Sequence, residues 1–479
     1  MLNRACDTNP GAAAAQRRVG FPGSLWEKAR VHLLQRINFR GDLFATAICF
    51  AGQGVIKLGS SVILTRILLP EAYGVITILM SIMFVIEMLG DIGVTVFIVR
   101  DEHGEQPLYL NTAWSMRLAR AALNCAALFL LAPVIAAKLY NAPELVTPLR
   151  VISLSFLVGG LESMSFPLSV RRKRVRYMMY SELLATLVAN TLAIIYCSYS
   201  RDFWGILFSI MLHRMLMTYF SWRLYPESRP RFVLDVAAAR QILKFTKFTM
   251  PSSMLTLGLS QFDKIVFLRL FDLRQLGVYG LAGNMSAPME SLILKISSSV
   301  LYPRCAHNIR TDQSTAALKY YTENRSLFGS ILTLPAVVAG AAELIVALLY
   351  PAKYAETGQL LQAVALRAML LSLASPAEDL LVAAGEYQVI LVGNVYRAIW
   401  LVAGSLVGYY CFGLLGFAFG AALSGLPPLT YYLWLQNRKG MLIPRYELYK
   451  VAYLAAVVAL SYLLSHAVLT LWPHIHLRS

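Results

Sequence analysis

Charge is scarce in this chain. Only 14% of its 479 residues are Asp, Glu, Lys or Arg, against 57% hydrophobic, and the mean hydropathy is +0.58. An ordinary soluble domain carries about 25% charged residues, so a soluble enzyme or polar binding module is excluded. Cysteine is sparse as well: Cys6, Cys49, Cys125, Cys197, Cys305 and Cys411 stand apart with no C-x-x-C pair, which removes a disulfide framework and a zinc site. The seven histidines are isolated or terminal, and no intramembrane His–carboxylate arrangement suggests acyl transfer or metal chemistry. No long outside loop is left to hold the active site of a polymerase or glycosyltransferase. The expectation is a protein without enzymatic activity or cofactor. Acidic residues are outnumbered 26 to 43 by basic ones, a net charge of +17 whose distribution matters more than its size.

Apolar runs fill the space that missing charge leaves. A hydrocarbon core needs about 20 mostly apolar residues per helical crossing. Such segments lie near 43–65, 74–98, 112–137, 146–170, 178–199, 203–224, 245–268, 276–302, 326–350, 358–383, 388–411, 413–435 and 449–472. The predicted fold class is all-α, a polytopic membrane bundle. Residues 1–41 lack the apolar core and cleavage site of a signal peptide, so the N-terminus is expected in the cytoplasm. Within them, SLWEKARVHLLQRI sets Ser24 and Glu27 in capping-box spacing. It also puts Trp26, Ala29, Leu33 and Ile37 on one face among basic residues, the pattern of an interfacial helix; a solvated arm is the competing reading. With the N-terminus inside and sides alternating, Lys and Arg divide 27 inside to 8 outside, the other 8 lying within segments. This positive-inside bias explains the net charge without nucleic acid. The run RRKRVR at 171–176 falls on an inside corner, facing anionic headgroups or fixing topology.

One stretch is written twice. SSVILTRILLPEAYGVITIL at 60–79 has a near-copy in KIVFLRLFDLRQLGVYGLAG at 264–283, and at an offset of 203 Arg66 falls on Arg269, Gly74 on Gly277 and Val75 on Val278. The period is six segments. An even number of crossings returns the chain to its starting side, so the halves are predicted to be parallel copies about an axis along the membrane normal, able to rock around a shared cavity. In the first copy Pro70 is expected to end one helix and Gly74 to start the next. The implied organisation is a basic arm with an interfacial helix (1–41), an N-lobe (42–225), a cytoplasmic linker (226–244), a C-lobe (245–436), and a basic loop with a last hydrophobic segment (437–479).

Ionisable groups within a bilayer cost about 2.5–3.5 kcal/mol each on the insertion scale, so those present should face a cavity or one another. The first half carries Lys57, Glu87, Asp91, Arg117, Arg120 and Glu162. The second carries Asp263, Lys264, Glu290, Lys295, Arg367, Glu378, Asp379 and Arg397. Glu87 and Asp91 are four apart and share a helix face. Arg117 and Arg120 on the next segment can answer them, as a structural ion-pair cluster or in a gating role. Lys57, among Gly52, Gly54 and Gly59, suits an anionic cargo or a buried pair with Glu87 or Glu290. GQGVIK is not a dinucleotide fingerprint, because Lys57 stands where the third glycine belongs and no strand precedes it. His213 beside Arg214 reads as an interfacial pair.

Residues 60–121 carry a family resemblance: the R-x-L-x-P-E-x-Y-G knot, Asp91 and Gly93 near the end of helix 2, Arg100 soon after, and N-T-A-W (Asn111 to Trp114) opening helix 3. They resemble the Wzx-type oligosaccharide flippases, the polysaccharide transporter branch of the multidrug/oligosaccharidyl-lipid/polysaccharide (MOP) exporter superfamily. DKIVFLRLFDLRQLGVYGLAGNM is similar to that family's seventh and eighth helices. The resemblance implies a MATE-like two-lobed bundle of two six-helix repeats, with one further C-terminal segment here, in a bacterial inner membrane. It also implies undecaprenyl-pyrophosphate-linked oligosaccharide as cargo, membrane lipids as surroundings, and a polysaccharide polymerase and chain-length regulator as partners. A cationic cavity would receive the pyrophosphate, with Lys57, Lys264, Lys295, Arg367 and Arg397 as candidate lining. Glu87, Asp91, Arg117, Arg120, Asp263 and Glu290 are candidates for gating or ion coupling. Thirteen segments depart from the family's even number, which leaves the side of the C-terminus open. The alternative is a cation-coupled small-molecule exporter of the same superfamily, which should carry an acidic cavity.

Overall fold

Pro70 sets the first helix boundary. In the computed structural model, which describes residues 48–90, 93–140, 142–225, 229–244 and 270–471, α1 (Ile48–Ile67) ends before the polar knot. Pro70 takes the first position of α2 (Pro70–Leu89), where its missing N–H costs nothing and its fixed φ suits a helix. The expectation for Pro70 is thereby corrected: it opens the second helix rather than closing the first, and Gly74 lies one turn inside. The second apolar segment is also shorter than its hydropathy suggests. α2 stops at Gly90, and left-handed Gly93 (φ 61°) caps a separate α3 (Val94–Arg100).

α4 (Pro107–Val134) and α5 (Val146–Gly160) follow. α5 then bends by 55° into α6 (Ser165–Arg171). The broken backbone at the bend is satisfied from a later helix, α8 (Trp204–Leu224): Ser163 N donates to Ser221 Oγ at 2.9 Å, Ser163 Oγ to Ser221 O at 2.6 Å, and Trp222 Nε1 to Leu161 O at 2.8 Å. Buried polar groups must find such partners. α7 (Arg176–Ser200) and α8 (Trp204–Leu224) complete the first half. The basic run after α6 is partly engaged rather than free for headgroups: Arg171 donates to the Ile98, Asp101 and Glu102 carbonyls, and Arg171 and Arg172 both meet Glu105.

The stretch after α8 is stitched to α4. Along the extended residues 229–235, every second N–H finds a side chain: Arg231 N donates to Asn111 Oδ1 (2.9 Å), Val233 N to Ser115 Oγ (3.1 Å) and Asp235 N to Thr112 Oγ1 (3.3 Å). α9 (236–244) adds Gln241, whose Oε1 accepts from Tyr109 at 2.6 Å. The N-T-A-W motif therefore has a local task, holding this strap on the first half.

In the second half, Asp272 replaces proline as the starter of α10 (Leu273–Ile296). Its carboxylate accepts from Gln275 N at 2.7 Å while Gln275 Oε1 accepts from Asp272 N at 3.3 Å, a capping box. α11 (Tyr302–Thr311) and α12 (Gln313–Glu323) precede α13 (Arg325–Leu349) and α14 (Thr357–Ala383). α15 (Gln388–Ala422) folds back on itself at Phe412 and left-handed Gly413, so it makes two arms, continued by α16 (Leu426–Arg438). α17 (Pro444–Leu471) lies on α13. Its Lys450 bonds Glu447 at 2.6 Å and sits over the rings of Tyr320, Tyr321 and Phe328, tying the last helix to α12 and α13. Apart from 245–268, which lies outside the described residues, each of the expected apolar segments has a helical counterpart.

The halves meet through their repeated knots. α2 packs on α10, and a Cβ added at Gly74 would overlap the Leu273 carbonyl, while one added at Gly277 would overlap the Pro70 carbonyl. Leu273 is the residue 203 positions after Pro70, so the two contacts are one contact seen twice. Gly280 meets Thr77 in the same seam. The seam is reinforced by Tyr354, which stacks edge-on to Tyr73 (5.9 Å, 87°) and donates to Leu68 O at 3.1 Å. Burial raises the Tyr354 phenol's pKa, with Tyr73 and Glu71 adding to the shift, so the donor stays protonated. The apolar core here runs without interruption from Leu64, Leu68 and Ile78 to Tyr279 and Leu360. Tyr354→Phe is expected to cost about 1 kcal/mol in thermal unfolding, with the Leu68 carbonyl left without its donor.

Candidate functional site

The first half encloses a charged cavity of about 320 Å³ lined by Glu87 of α2, Arg117 and Arg120 of α4, and Val94 and Thr95 of α3. It continues inward to Asn124, Ser155 and Arg214. The end of α2 and the start of α3 both line it, and the bend after α5 carries Glu162 to Arg117 behind the lining. Arg117 Nη2 meets Glu162 Oε2 at 3.0 Å. Arg214 Nη2 lies 3.4 and 3.3 Å from the two Glu87 oxygens. Among the described residues the lining therefore holds Arg117, Arg120 and Arg214 with Glu87, and Glu162 stands behind Arg117. Such a site offers forked N–H donors suited to a bidentate phosphate or carboxylate.

In the second half, Arg367 of α14 donates twice to Glu290 Oε1 of α10, at 3.0 and 2.9 Å. Glu378 accepts from Tyr432 OH at 3.0 Å and lies within electrostatic reach of Arg397. Asp379 accepts from Ser297 Oγ, which in turn accepts from Ser375 Oγ at 2.9 Å. Lys295 is exposed and sits 5.3 Å over the Phe50 ring of α1. Lys57 is also exposed, seven residues after Phe50 and therefore on the same stripe of α1. One lysine from each half is therefore exposed beside or on α1: Lys295 at its contact with Phe50, and Lys57 within electrostatic reach of His213 on α8.

The expected residues are accordingly redistributed. Arg367 is not a lone cation, because Glu290 neutralises it; a cargo cation and a gating acid resolve into one ion pair. Arg117 is bonded to Glu162 and Glu87 to Arg214, partners other than those the spacing offered, while Arg117 still lines the cavity beside Glu87. Arg120 shares the cavity with Glu87. Asp91, Asp263 and Lys264 lie outside the described residues. Sequence reasoning missed Arg214: it sits at the centre of α8, and the cue was a permanent charge midway along an apolar segment, passed over because His213 beside it suggested an interfacial pair.

Two like halves, joined at one end by a reciprocal seam and carrying charged clusters within an apolar bundle, define a two-lobed multi-pass membrane transporter fold. Within that class the chain belongs to the polysaccharide biosynthesis protein family, whose profile matches residues 63–359. It is 28% identical over 249 residues to the succinoglycan biosynthesis transport protein ExoT of Rhizobium meliloti (strain 1021), covering 50% of this chain and 48% of that protein. The chain thus matches about half the length of that relative. It is 22% identical over 413 residues to the lipopolysaccharide biosynthesis protein WzxC of Escherichia coli (strain K12), covering 84% and 81%. Its fold is that of the lipid II flippase MurJ in an inward closed conformation (TM-score 0.66, 12% identity, 90% of this chain and 99% of that one). It is also that of an inward-facing multidrug resistance MATE family transporter of the MOP superfamily (TM-score 0.60, 15% identity, 81% and 95%).

Proposed function

We propose that the protein is a flippase. It moves oligosaccharide repeat units linked to undecaprenyl pyrophosphate from the cytoplasmic to the periplasmic leaflet of a bacterial inner membrane, by alternating access, for exopolysaccharide, capsule or O-antigen assembly. The 27-to-8 distribution of Lys and Arg supports a cytoplasmic N-terminus, which puts the glycine seam at the periplasmic end. The N-lobe (42–225) and C-lobe (245–436) are the moving bodies in this reading, 226–244 the linker between them, and 437–479 an appended segment. A polysaccharide polymerase and a chain-length regulator are the fitting partners, and no enzymatic step is involved.

The observation that carries the reading is the lysine pair. Lys57 and Lys295, one from each half, are both exposed, Lys295 against Phe50 of α1 and Lys57 seven residues further along that helix, so that in this reading a diphosphate headgroup meets cations from both lobes while its lipid tail stays in the bilayer. The names of the relatives agree with such cargo, speaking of succinoglycan transport, lipopolysaccharide biosynthesis and lipid II flipping. Replacing both lysines by alanine is expected to reduce surface polysaccharide to the level of a strain lacking the gene, with protein abundance and drug resistance unchanged. Undiminished surface polysaccharide overturns the reading. The small-molecule exporter is the second reading, favoured by the adjacent acids Glu378 and Asp379 in the second half; it requires the same strain to lose drug resistance instead.

A further inference from the structure

Glu87 and Glu290 occupy the same place in the two copies. They are 203 residues apart, the offset that relates Gly74 to Gly277, and each lies seventeen positions along its helix from the residue at the seam, Pro70 or Leu273. Each is bonded to an arginine of its own half, Glu87 to Arg214 at 3.3 Å and Glu290 to Arg367 at 2.9 Å. The arginines are not repeat mates: Arg214 comes from α8, the sixth crossing of the first half, and Arg367 from α14, the fourth of the second. Two unrelated helices deliver a guanidinium to one repeated carboxylate.

Resting on the flippase reading above, we propose that Glu87 is an exchangeable counter-ion: it holds Arg214 while the cavity is empty and yields it to the phosphoryl oxygens of the cargo headgroup, whereas its repeat mate Glu290 holds Arg367 in a tighter, more enclosed pair. A guanidinium cannot shed its proton, and drawn from water into an apolar bundle it needs an anion at all times. The Arg214–Glu87 contacts of 3.3–3.4 Å are longer than the about 2.7–2.9 Å of a tight charge-assisted bond. Both side chains keep access to the cavity, at 31% and 40% exposed. The neighbouring Arg117–Glu162 pair is shorter, at 3.0 Å, and more enclosed, at 18% and 14%, which marks it as the fixed wall. A diphosphate brings more charge and a better fork than one carboxylate, so it displaces Glu87. On the far side of the cycle the returning carboxylate competes for the arginine and lets the cargo leave, since a site that transports must also release.

The test uses the purified full chain in detergent with farnesyl pyrophosphate as probe, binding being followed by calorimetry and folding by thermal melting. Glu87→Gln removes the competitor and keeps the shape. It is expected to bind the probe about fivefold more tightly than the wild type, the scale of a partly exposed ion pair, and to export less glycan in cells because release slows. Arg214→Gln is expected to weaken binding. Glu87→Asp, with a shorter reach, should tighten it by a smaller factor, and serves if the glutamine variant does not fold. Wild-type-like or weaker binding by a folded Glu87→Gln protein overturns the exchange and leaves the flippase reading intact. If the wild type itself does not bind farnesyl pyrophosphate, the cargo reading falls and the exchange with it.

Discussion

Gly74→Leu and Gly277→Leu are each expected to abolish glycan export while leaving a folded protein of normal abundance. At both positions the side chain would occupy the space of a backbone carbonyl of the opposite half, Leu273 O or Pro70 O, and a carbonyl inside a helix cannot swing aside as a flexible side chain can. Overpacking of this kind costs about 1–3 kcal/mol. The two halves can avoid that cost by parting at the seam, because each is built around helices of its own. The variants are therefore held open at that end and cannot complete a cycle of alternating access. A cysteine placed at Thr77, within the seam, should become reactive to maleimide in either variant and stay protected in the Thr77→Cys protein alone. Gly283→Leu is the control, since a Cβ at that position on the same helix meets nothing within 4 Å; it should export normally. Normal export by Gly74→Leu would mean that the seam does not have to close.

Arg367→Ala is expected to lower the amount of folded protein rather than only its activity. Removing the guanidinium leaves Glu290 charged and without its strong partner in a site where the two side chains are only 19% and 23% exposed. Truncating one member of a fully buried pair costs about 3–5 kcal/mol, and partial exposure brings the expected loss nearer 2–3 kcal/mol. Glu290→Ala should behave alike. The double variant Glu290→Gln/Arg367→Met should recover most of the loss, because the isolated charge has gone. Melting temperatures of the two single variants and the double variant form a thermodynamic cycle that gives the coupling energy of the pair. Additive losses would show that the two residues do not act as a unit.

The repeat was the most legible feature of the sequence, since Gly74 and Gly277 had to be small for a reason that survives in both copies, and that reason is mutual contact. Crossings were legible because hydropathy depends on composition alone. Breaks were not. The stop at Gly90 and the bend after Gly160 lie within stretches that hydropathy joins into single segments, and what surrounds them is tertiary: Asn124 packs against Gly90, and Ser221 and Trp222 bond the backbone of the bend. The charged residues were legible as a set and not as pairs. Arg117 lies nearer in sequence to Glu87 but bonds Glu162, because the bend after α5 carries that carboxylate to it. The use of Asn111 and Thr112 as a clamp for 229–235 depends on a chain segment more than a hundred residues away, which no local pattern announces.

The most direct test of flipping is the leaflet in which the lipid-linked oligosaccharide resides when this protein is absent or altered. In spheroplasts of a strain lacking the gene, the undecaprenyl-linked repeat unit should accumulate beyond the reach of a lectin added from outside. The wild-type protein should bring it within reach, and the Lys57→Ala/Lys295→Ala protein should not. If the lectin labels the repeat unit equally with and without the protein, the protein does not flip it.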